Sequence, residues 1–593
     1  MHRVPHTALR LRESEGGAMV KRSWWIFILL FTLASASALE VQEVRWGYDG
    51  SVVPGRFNLL SVLIGNPSTA PFDGAVNLYK TRGLEQRVGA LYGTPCYLSP
   101  LTARWVQFYV YIDSQYDQWR LEWGRGSESR HDVDPPKWGA PGQVLLADSQ
   151  TTVTTAISAF RQFPDELFPP TVAATSGLDS LLLDHAPRWE LAKRQAFVNW
   201  LRAGGKVHVL TGANGQFPNF SDELSVLNTP QDRTRIGSGL VVRHTATARE
   251  IRKQDVEDND IPLRQYKSSD SGDFQITESF LRNLAELSHP SHNWALIYLL
   301  AFTYLGLVGP GNLLLGKRFP DYRLRIVLLL VTIAAFAGLF SLAGRRGQGE
   351  SSVVHTLSYA RSIDGDNYNV TQWVNVFASH GAHYTITHAA PHNLYATGQD
   401  YEPVNGLIQS GKDGRFVVDI PIFSRRALLH QAEMKGINLS VKIVNWDGAP
   451  TLNKLSLTVQ PDFTKKILEG WVVQGDRVYT MKIVDGRLEF GNSSPQSISS
   501  LGSNDDPKAY MNPYARQNAD VNVEAEFRKL AQPLISWSLG TRDFTNAPPS
   551  AMSNRVELFL FARSPENFDI TGPQFSREVG YVLYHLDLLR PES

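Results

Sequence analysis

Residues 295–315 read ALIYLLAFTYLGLVGPGNLLL, residues 326–343 read IVLLLVTIAAFAGLFSLA, and KRFPDYRLR joins them at 317–325. Neither apolar run carries a charge. At ~1.5 Å per residue the first matches a hydrocarbon layer of ~30 Å. A buried core helix is the competing reading, but two such runs around a short basic loop favour a hairpin in lipid. Lys317, Arg318, Arg323 and Arg325 place that loop in the cytoplasm, because cationic loops stay inside. The far flank of the second run carries only Arg345 and Arg346. This predicts transmembrane helices at 293–316 and 326–344 with a cytoplasmic loop at 317–325. Both long flanks, 39–292 and 347–593, then lie outside the cytoplasm. Trp294, Tyr298 and Tyr304 fall near or below the outer interface, where aromatic rings anchor helices. Thr303 and Asn312 are the polar exceptions. Asn312 beside Gly309-Pro310-Gly311 implies a kink and close helix packing. With no ionisable group inside, the pair makes a poor transporter.

Residues 1–38 read as a secretory signal peptide, with Met19 as the expected start. Lys21 and Arg22 precede the apolar run Trp24–Leu33, and a small-residue cleavage site ends at Ala38. An uncleaved anchor would give the same topology. The chain has 593 residues, enough for several domains, and 42% hydrophobic with 20% charged residues excludes a disordered chain. Lys+Arg and Asp+Glu stand at 58 each, so no basic face points to nucleic acid. Cys96 is the single cysteine, so no internal disulfide can form and a buried, hydrophobe-like role is expected.

The exported parts divide by pattern. Residues 39–135 alternate with period two, as in Val106, Phe108, Val110 and Ile112, and read as an immunoglobulin-like β-sandwich. Residues 136–290 change to unbroken apolar strands, Gln143–Ala147, Ser180–Asp184 and Lys206–Leu210. Between the last two, Trp189, Ala196, Phe197, Trp200 and Leu201 recur at helical spacing, with Pro187 in the first turn and Gly204-Gly205 as the stop. Strand, helix and strand in that order form a βαβ unit on a parallel sheet. Residues 347–593 are mostly strand. Asp413-Gly414, Asp447-Gly448 and Asp485-Gly486 are hairpin turns, 494–520 is a long polar loop, and 523–534 is one short helix. The fold class is therefore a multidomain α+β membrane protein with a β-sandwich, an α/β domain, a two-helix transmembrane hairpin and a β-rich C-terminal domain.

Two stretches carry a family resemblance. One is QAFVNWLRAGGKV at 195–207, a helix with Trp followed by a glycine pair and a strand. The other is YLGLVGPGN at 304–312 before the basic hairpin, with Gly311 where valine is usual. Together they resemble bacterial membrane-anchored envelope proteins with a degenerate class I glutamine amidotransferase-like domain. The resemblance covers roughly residues 140–345, while the β-rich tail matches only in style. It implies a flavodoxin-like, amidotransferase-like α/β domain, and genetic company with MoxR-type ATPases and von Willebrand A-domain proteins.

The chemistry of that domain is reduced. A class I amidotransferase needs a cysteine nucleophile on a tight strand-to-helix turn with a histidine nearby. Here the turn is Leu183-Asp184-His185-Ala186, and no Gly-x-Ser-x-Gly elbow replaces it. Asp148, Asp184 and His185 stand at carboxyl ends of parallel strands, where open sheets place ligands. They are weak catalytic candidates, since adjacent Asp and His side chains are expected to diverge and to cap helices. Asp184, His185, Thr211, Gly212 and Asn214 are the ligand-binding candidates. His380, His383, His388 and His392 crowd into one tract and are weak metal candidates, because spacing alone does not converge them. His289 and His292 suit the membrane interface. Asp364-Gly365-Asp366-Asn367 lacks the downstream acid of a calcium loop and reads as a turn.

The sequence thus predicts a non-catalytic, membrane-anchored extracytoplasmic scaffold or partner-binding protein at a bacterial inner membrane. Its expected partners are the lipid bilayer and other envelope or membrane proteins, without nucleic acid or cofactor. The alternatives are an envelope hydrolase at the carboxyl edge of the sheet and a glycan-binding module using exposed Trp and Tyr.

Overall fold

Period-two apolar residues on both faces make the strand Arg56–Gly65 a middle layer. Leu60, Val62 and Ile64 point one way, Phe57 and Leu59 the other, and all are buried. The computed structural model describes residues 39–588 apart from 84–85, 115, 125–128, 149–157, 213, 258–260, 267–271, 289–293, 319–320, 346–350, 399–401, 448–451, 491–493, 502–521, 550–551, 553–554 and 573. The signal segment, His289, His292 and most of the polar loop lie outside the described residues. Arg56–Gly65 pairs antiparallel with Glu40–Trp46 and Ala103–Ile112 in a three-stranded sheet. One face of this sheet packs on a seven-stranded sheet and the other on the α/β unit. Cys96 is buried in the former layer, and burial pushes its thiol pKa up.

The seven-stranded sheet draws on both sides of the apolar helices. Phe72–Arg82, Gln86–Leu98, Gln118–Trp123 and Arg130–Val133 precede them. Ala382–Ile386, Pro403–Gln409 and Arg415–Ile420 follow them. The junction is parallel, with Leu407, Ile408 and Gln409 opposite Leu91, Tyr92 and Gly93. Sequence patterning places these strands in separate regions, and backbone hydrogen bonding joins them in one sheet.

In the α/β unit the five parallel strands run Arg161–Pro164, Gly142–Ala147, Leu178–Leu183, Lys206–Thr211 and Gly239–Thr247 across the sheet, with Arg233–Ile236 antiparallel at the edge. The helix over this sheet starts at Leu191, later than Pro187 suggests, and Glu190 gives it no side-chain cap. Trp189 lies outside the helix; its indole N–H donates to the Asp165 carbonyl at 2.7 Å and its ring stacks on Phe168 at 4.6 Å. The glycine stop is as expected. Gly204 has φ +114°, and the Gly204 and Gly205 amides donate to the Leu201 and Trp200 carbonyls at 3.0 Å.

The remaining chain builds a twelve-stranded sheet. Its first strand, Val353–Asp364, pairs in parallel with its last, Arg577–Leu588. Helices Gly272–Leu287 and Val523–Leu539 cover one face, joined to it by edge-on contacts of Trp373 with Phe280 at 5.1 Å and with Trp537 at 4.7 Å. The second helix outruns its expected end at 534 because Leu534, Ile535, Trp537 and Leu539 are buried, which outweighs Pro533. Asp485 and Gly486, at φ 48° and 76°, make the expected two-residue turn.

Two helices are long and apolar enough to cross a membrane, Ala295–Leu314 and Tyr322–Ser341, and almost nothing of either is buried within the protein. Sixteen of the 25 exposed large hydrophobic residues among those described lie between Tyr298 and Leu339. At roughly 1.5–3 kcal/mol each, exposure to water would cost tens of kcal/mol. The expected loop 317–325 is mostly helical: Lys317 and Arg318 end one helix and Tyr322 starts the next. The kink is real and takes the form of a π-turn at Leu307–Gly311 around Pro310, whose missing N–H breaks the ladder. Gly309 does not mediate the packing, since a Cβ there would meet nothing within 4 Å. The helices touch through Tyr304 and Phe336 at 5.3 Å. Thr303 donates to the Leu299 carbonyl at 2.7 Å, which satisfies its hydroxyl within its own helix.

Candidate functional site

The carboxyl edge of the parallel sheet gathers the sequence candidates. Leu178–Leu183 delivers Asp184 and His185, and these two do not diverge: His185 Nδ1 lies 2.8 Å from Asp184 Oδ1. Both side chains are partly exposed, and the buried His185 Nε2 has no hydrogen-bond partner among the described residues. Half-buried Asp148 follows Gly142–Ala147, the strand paired in parallel with Leu178–Leu183. On the other side, a Cβ at Gly212 would lie 3.5 Å from the Asp184 carbonyl and 3.3 Å from Asn214 Oδ1. The loop of Gly212 and Asn214 therefore sits against Asp184. Within the loop the Gly212 amide donates to the Gln216 carbonyl and Asn214 Oδ1 accepts from the Gln216 amide. Thr211 turns into the sheet, where its hydroxyl donates to the Thr245 carbonyl at 3.2 Å.

The four tail histidines do not converge on an ion. His388 is fully buried, stacks on His430 at 3.7 Å, and has Nδ1 2.9 Å from the Tyr395 hydroxyl. Burial pulls His388 down to about 3. His383 is exposed beside Asp419, His380 meets the Ser379 hydroxyl, and His392 has φ 55° in a turn. Asp364-Gly365-Asp366 is a turn between paired strands, as its sequence suggests.

Two polar clusters escaped the sequence reading. His208 and His244 stack across neighbouring strands with nitrogens 2.9 Å apart, and burial first, then His244, pulls His208 down to about 3. A histidine inside the apolar strand KVHVLT was the available signal. The second cluster is Glu557, His585 and Asp587, whose ligand atoms lie within 4.8 Å of one another. Arg542 grips Glu557 with two bonds at 2.8 and 3.0 Å, Arg555 adds a third at 2.8 Å, and Arg361 reaches Asp587 at 3.4 Å. Burial works to raise the Glu557 carboxyl pKa, but the two guanidiniums outweigh it and hold it well below the usual range. With three guanidiniums around two carboxylates, the cluster is a buried charge network that repels a divalent cation.

Of the exposed Trp and Tyr expected for sugar stacking, every Trp whose side chain is described is buried or half-buried. Exposed aromatics outside the apolar helices include Tyr97, Tyr116 and Phe423.

No family model matches the chain, and no curated protein matches it. Among solved structures it is similar to a cycloisomaltooligosaccharide glucanotransferase of Paenibacillus sp., solved with cycloisomaltoheptaose. Identity is 8% and the TM-score 0.16, over 77% of this chain and 98% of that one.

Proposed function

We propose that the chain is a two-pass protein of the bacterial inner membrane whose whole folded body lies outside the cytoplasm and serves as a non-catalytic scaffold or binding module. One observation carries this reading: Gln86–Leu98, before the apolar helices, shares a sheet with Pro403–Gln409 after them. Backbone hydrogen bonds form only within one compartment, so the chain between must cross the bilayer an even number of times. Two apolar helices supply two crossings, and the cationic residues at their tip favour the cytoplasm for that end. The strand order 2-1-3-4-5 of the α/β unit supports an amidotransferase-like frame of flavodoxin-like type. That frame lacks a thiolate at its turn, and Cys96 is buried in the sandwich. Envelope or membrane proteins are the expected partners. Reporter fusions after residues 280 and 593 test the topology: an active periplasmic reporter at both supports it, and a cytoplasmic signal from either refutes it.

The Asp184–His185 pair favours a second reading, a hydrolase. A carboxylate on Nδ1, with Nε2 unpartnered among the described residues, is the arrangement of an oriented general base. Hydrolysis of an acyl or phosphoryl ester that Asp184→Asn abolishes, without change in melting temperature, would replace the non-catalytic reading.

A further inference from the structure

A cavity of about 190 Å³ opens where the three parts of the body meet. Arg56 reaches it from the sandwich, Lys206 from the parallel sheet, and Arg361, Arg542 and Arg555 from the large C-terminal sheet and the loops beside it. We propose that this cavity binds a monosaccharide-sized organic anion through its carboxylate or phosphate group.

The charge balance carries the argument. Asp179 is the carboxylate on the wall, and Glu557 and Asp587 stand directly behind it. Among the described residues the wall carries five cations and one carboxylate, with two more carboxylates behind it. Four cations are spoken for: Lys206 meets Asp179 at 3.1 Å, Arg542 and Arg555 meet Glu557 at 2.8 Å, and Arg361 meets Asp587 at 3.4 Å. Arg56 has no carboxylate partner among the described residues. Its guanidinium lies 3.3 Å over the Trp537 ring and donates Nη2 to the Trp537 carbonyl at 2.6 Å. Among the described residues its Nη1 has no hydrogen-bond partner, and neither has the indole N–H of Trp537; both atoms are buried, in residues that line the cavity. A buried donor left unmade is costly, and an oxyanion that draws the guanidinium slightly toward the cavity would complete it. A guanidinium held flat by a ring, with one edge of its fork free, suits an oxyanion.

The rest of the wall fits a hydroxylated body. Ser538, Thr541, Asn369 and Thr371 supply neutral donors and acceptors, and Trp200 supplies an apolar face. The volume exceeds the ~150 Å³ of a cavity that takes up benzene, so a six-membered ring with substituents has room. Because the wall comes from residues as far apart as Arg56 and Arg555, an occupant would tie the sandwich, the parallel sheet and the large sheet together.

The inference rests on the binding-module half of the proposed function and not on the anchor, so reporter fusions and ligand titration fail independently. The test uses the full chain in non-ionic detergent, titrated with sodium glucuronate, glucose 1-phosphate and neutral glucose. Tryptophan fluorescence and melting temperature are the readouts, since Trp200 and Trp537 line the site. Saturable binding of at least one anion is expected, at least ten-fold tighter than glucose and weakened when salt is raised to about 0.5 M. Arg56→Gln should weaken it at least ten-fold. Anions that fail to bind wild-type protein, or bind no better than glucose, overturn the proposal, as does anion binding unchanged in a folded Arg56→Gln variant. The glucose and salt arms use wild-type protein and decide the matter if that variant does not fold.

Discussion

Glu578 is a carboxyl in the wrong surroundings, and its titration should be legible in stability. It sits in the last strand of the large sheet, accepting from the Thr356 hydroxyl at 3.3 Å and the Ile570 amide at 3.1 Å. Burial, then the neighbouring Asp569, raise its pKa from 4.5 to about 8. No cation pairs with it among the described residues. A carboxyl raised on folding binds its proton more tightly in the native state. Its stabilising contribution is therefore complete below the unfolded value and is lost as pH rises toward 8. At 1.36 kcal/mol per pH unit the full interval corresponds to roughly 5 kcal/mol, and partial exposure reduces the expected effect to about 2–3 kcal/mol. Asp569, raised to about 6 by burial and Glu566, adds slope in the same direction. Glu578→Gln keeps the shape and removes the charge. Urea midpoints of the detergent-solubilised chain at pH 5, 7 and 9 should show the variant gaining steadily on wild type with pH. A difference between the two that is the same at pH 5 and pH 9 would refute the reasoning.

Other perturbations follow from the same geometry. Arg542→Leu leaves Glu557 buried with one fewer guanidinium and should cost about 3–5 kcal/mol by chemical denaturation. Gly239→Ala would put a Cβ 1.9 Å from the Leu201 carbonyl oxygen, and the forced shift should lower stability by about 1–3 kcal/mol or more. A protease site inserted at 319–320 should, once cut, leave the two halves co-purifying in non-ionic detergent, held by the shared sheet of Gln86–Leu98 and Pro403–Gln409. Separation of the halves without denaturant would contradict that pairing.

Much of the local structure was legible because it depends on neighbours in the chain. The two uncharged runs, the period-two strands of the sandwich, the βαβ unit with its Gly204-Gly205 stop and the Asp485-Gly486 turn all follow from periodicity, turn chemistry and length. The helix start at Leu191, the helix end at Leu539 and the π-turn at Pro310 were displaced or invisible, because burial against other elements sets them. The edge residues Asp148, Asp184 and His185 were legible as strand ends, but the hydrogen bond between Asp184 and His185 depends on rotamers that spacing does not specify.

The sequence by itself determined which segments are strands, which are helices and which two are apolar enough for lipid, since those properties reside in local pattern and hydropathy. Tertiary structure alone decided that Pro403–Gln409 completes a sheet begun at Phe72, and that Arg56, Lys206 and Arg361 face one cavity. Strand partners and cavity walls are chosen by the burial of whole faces against one another, and that choice leaves no mark on the spacing of residues along the chain.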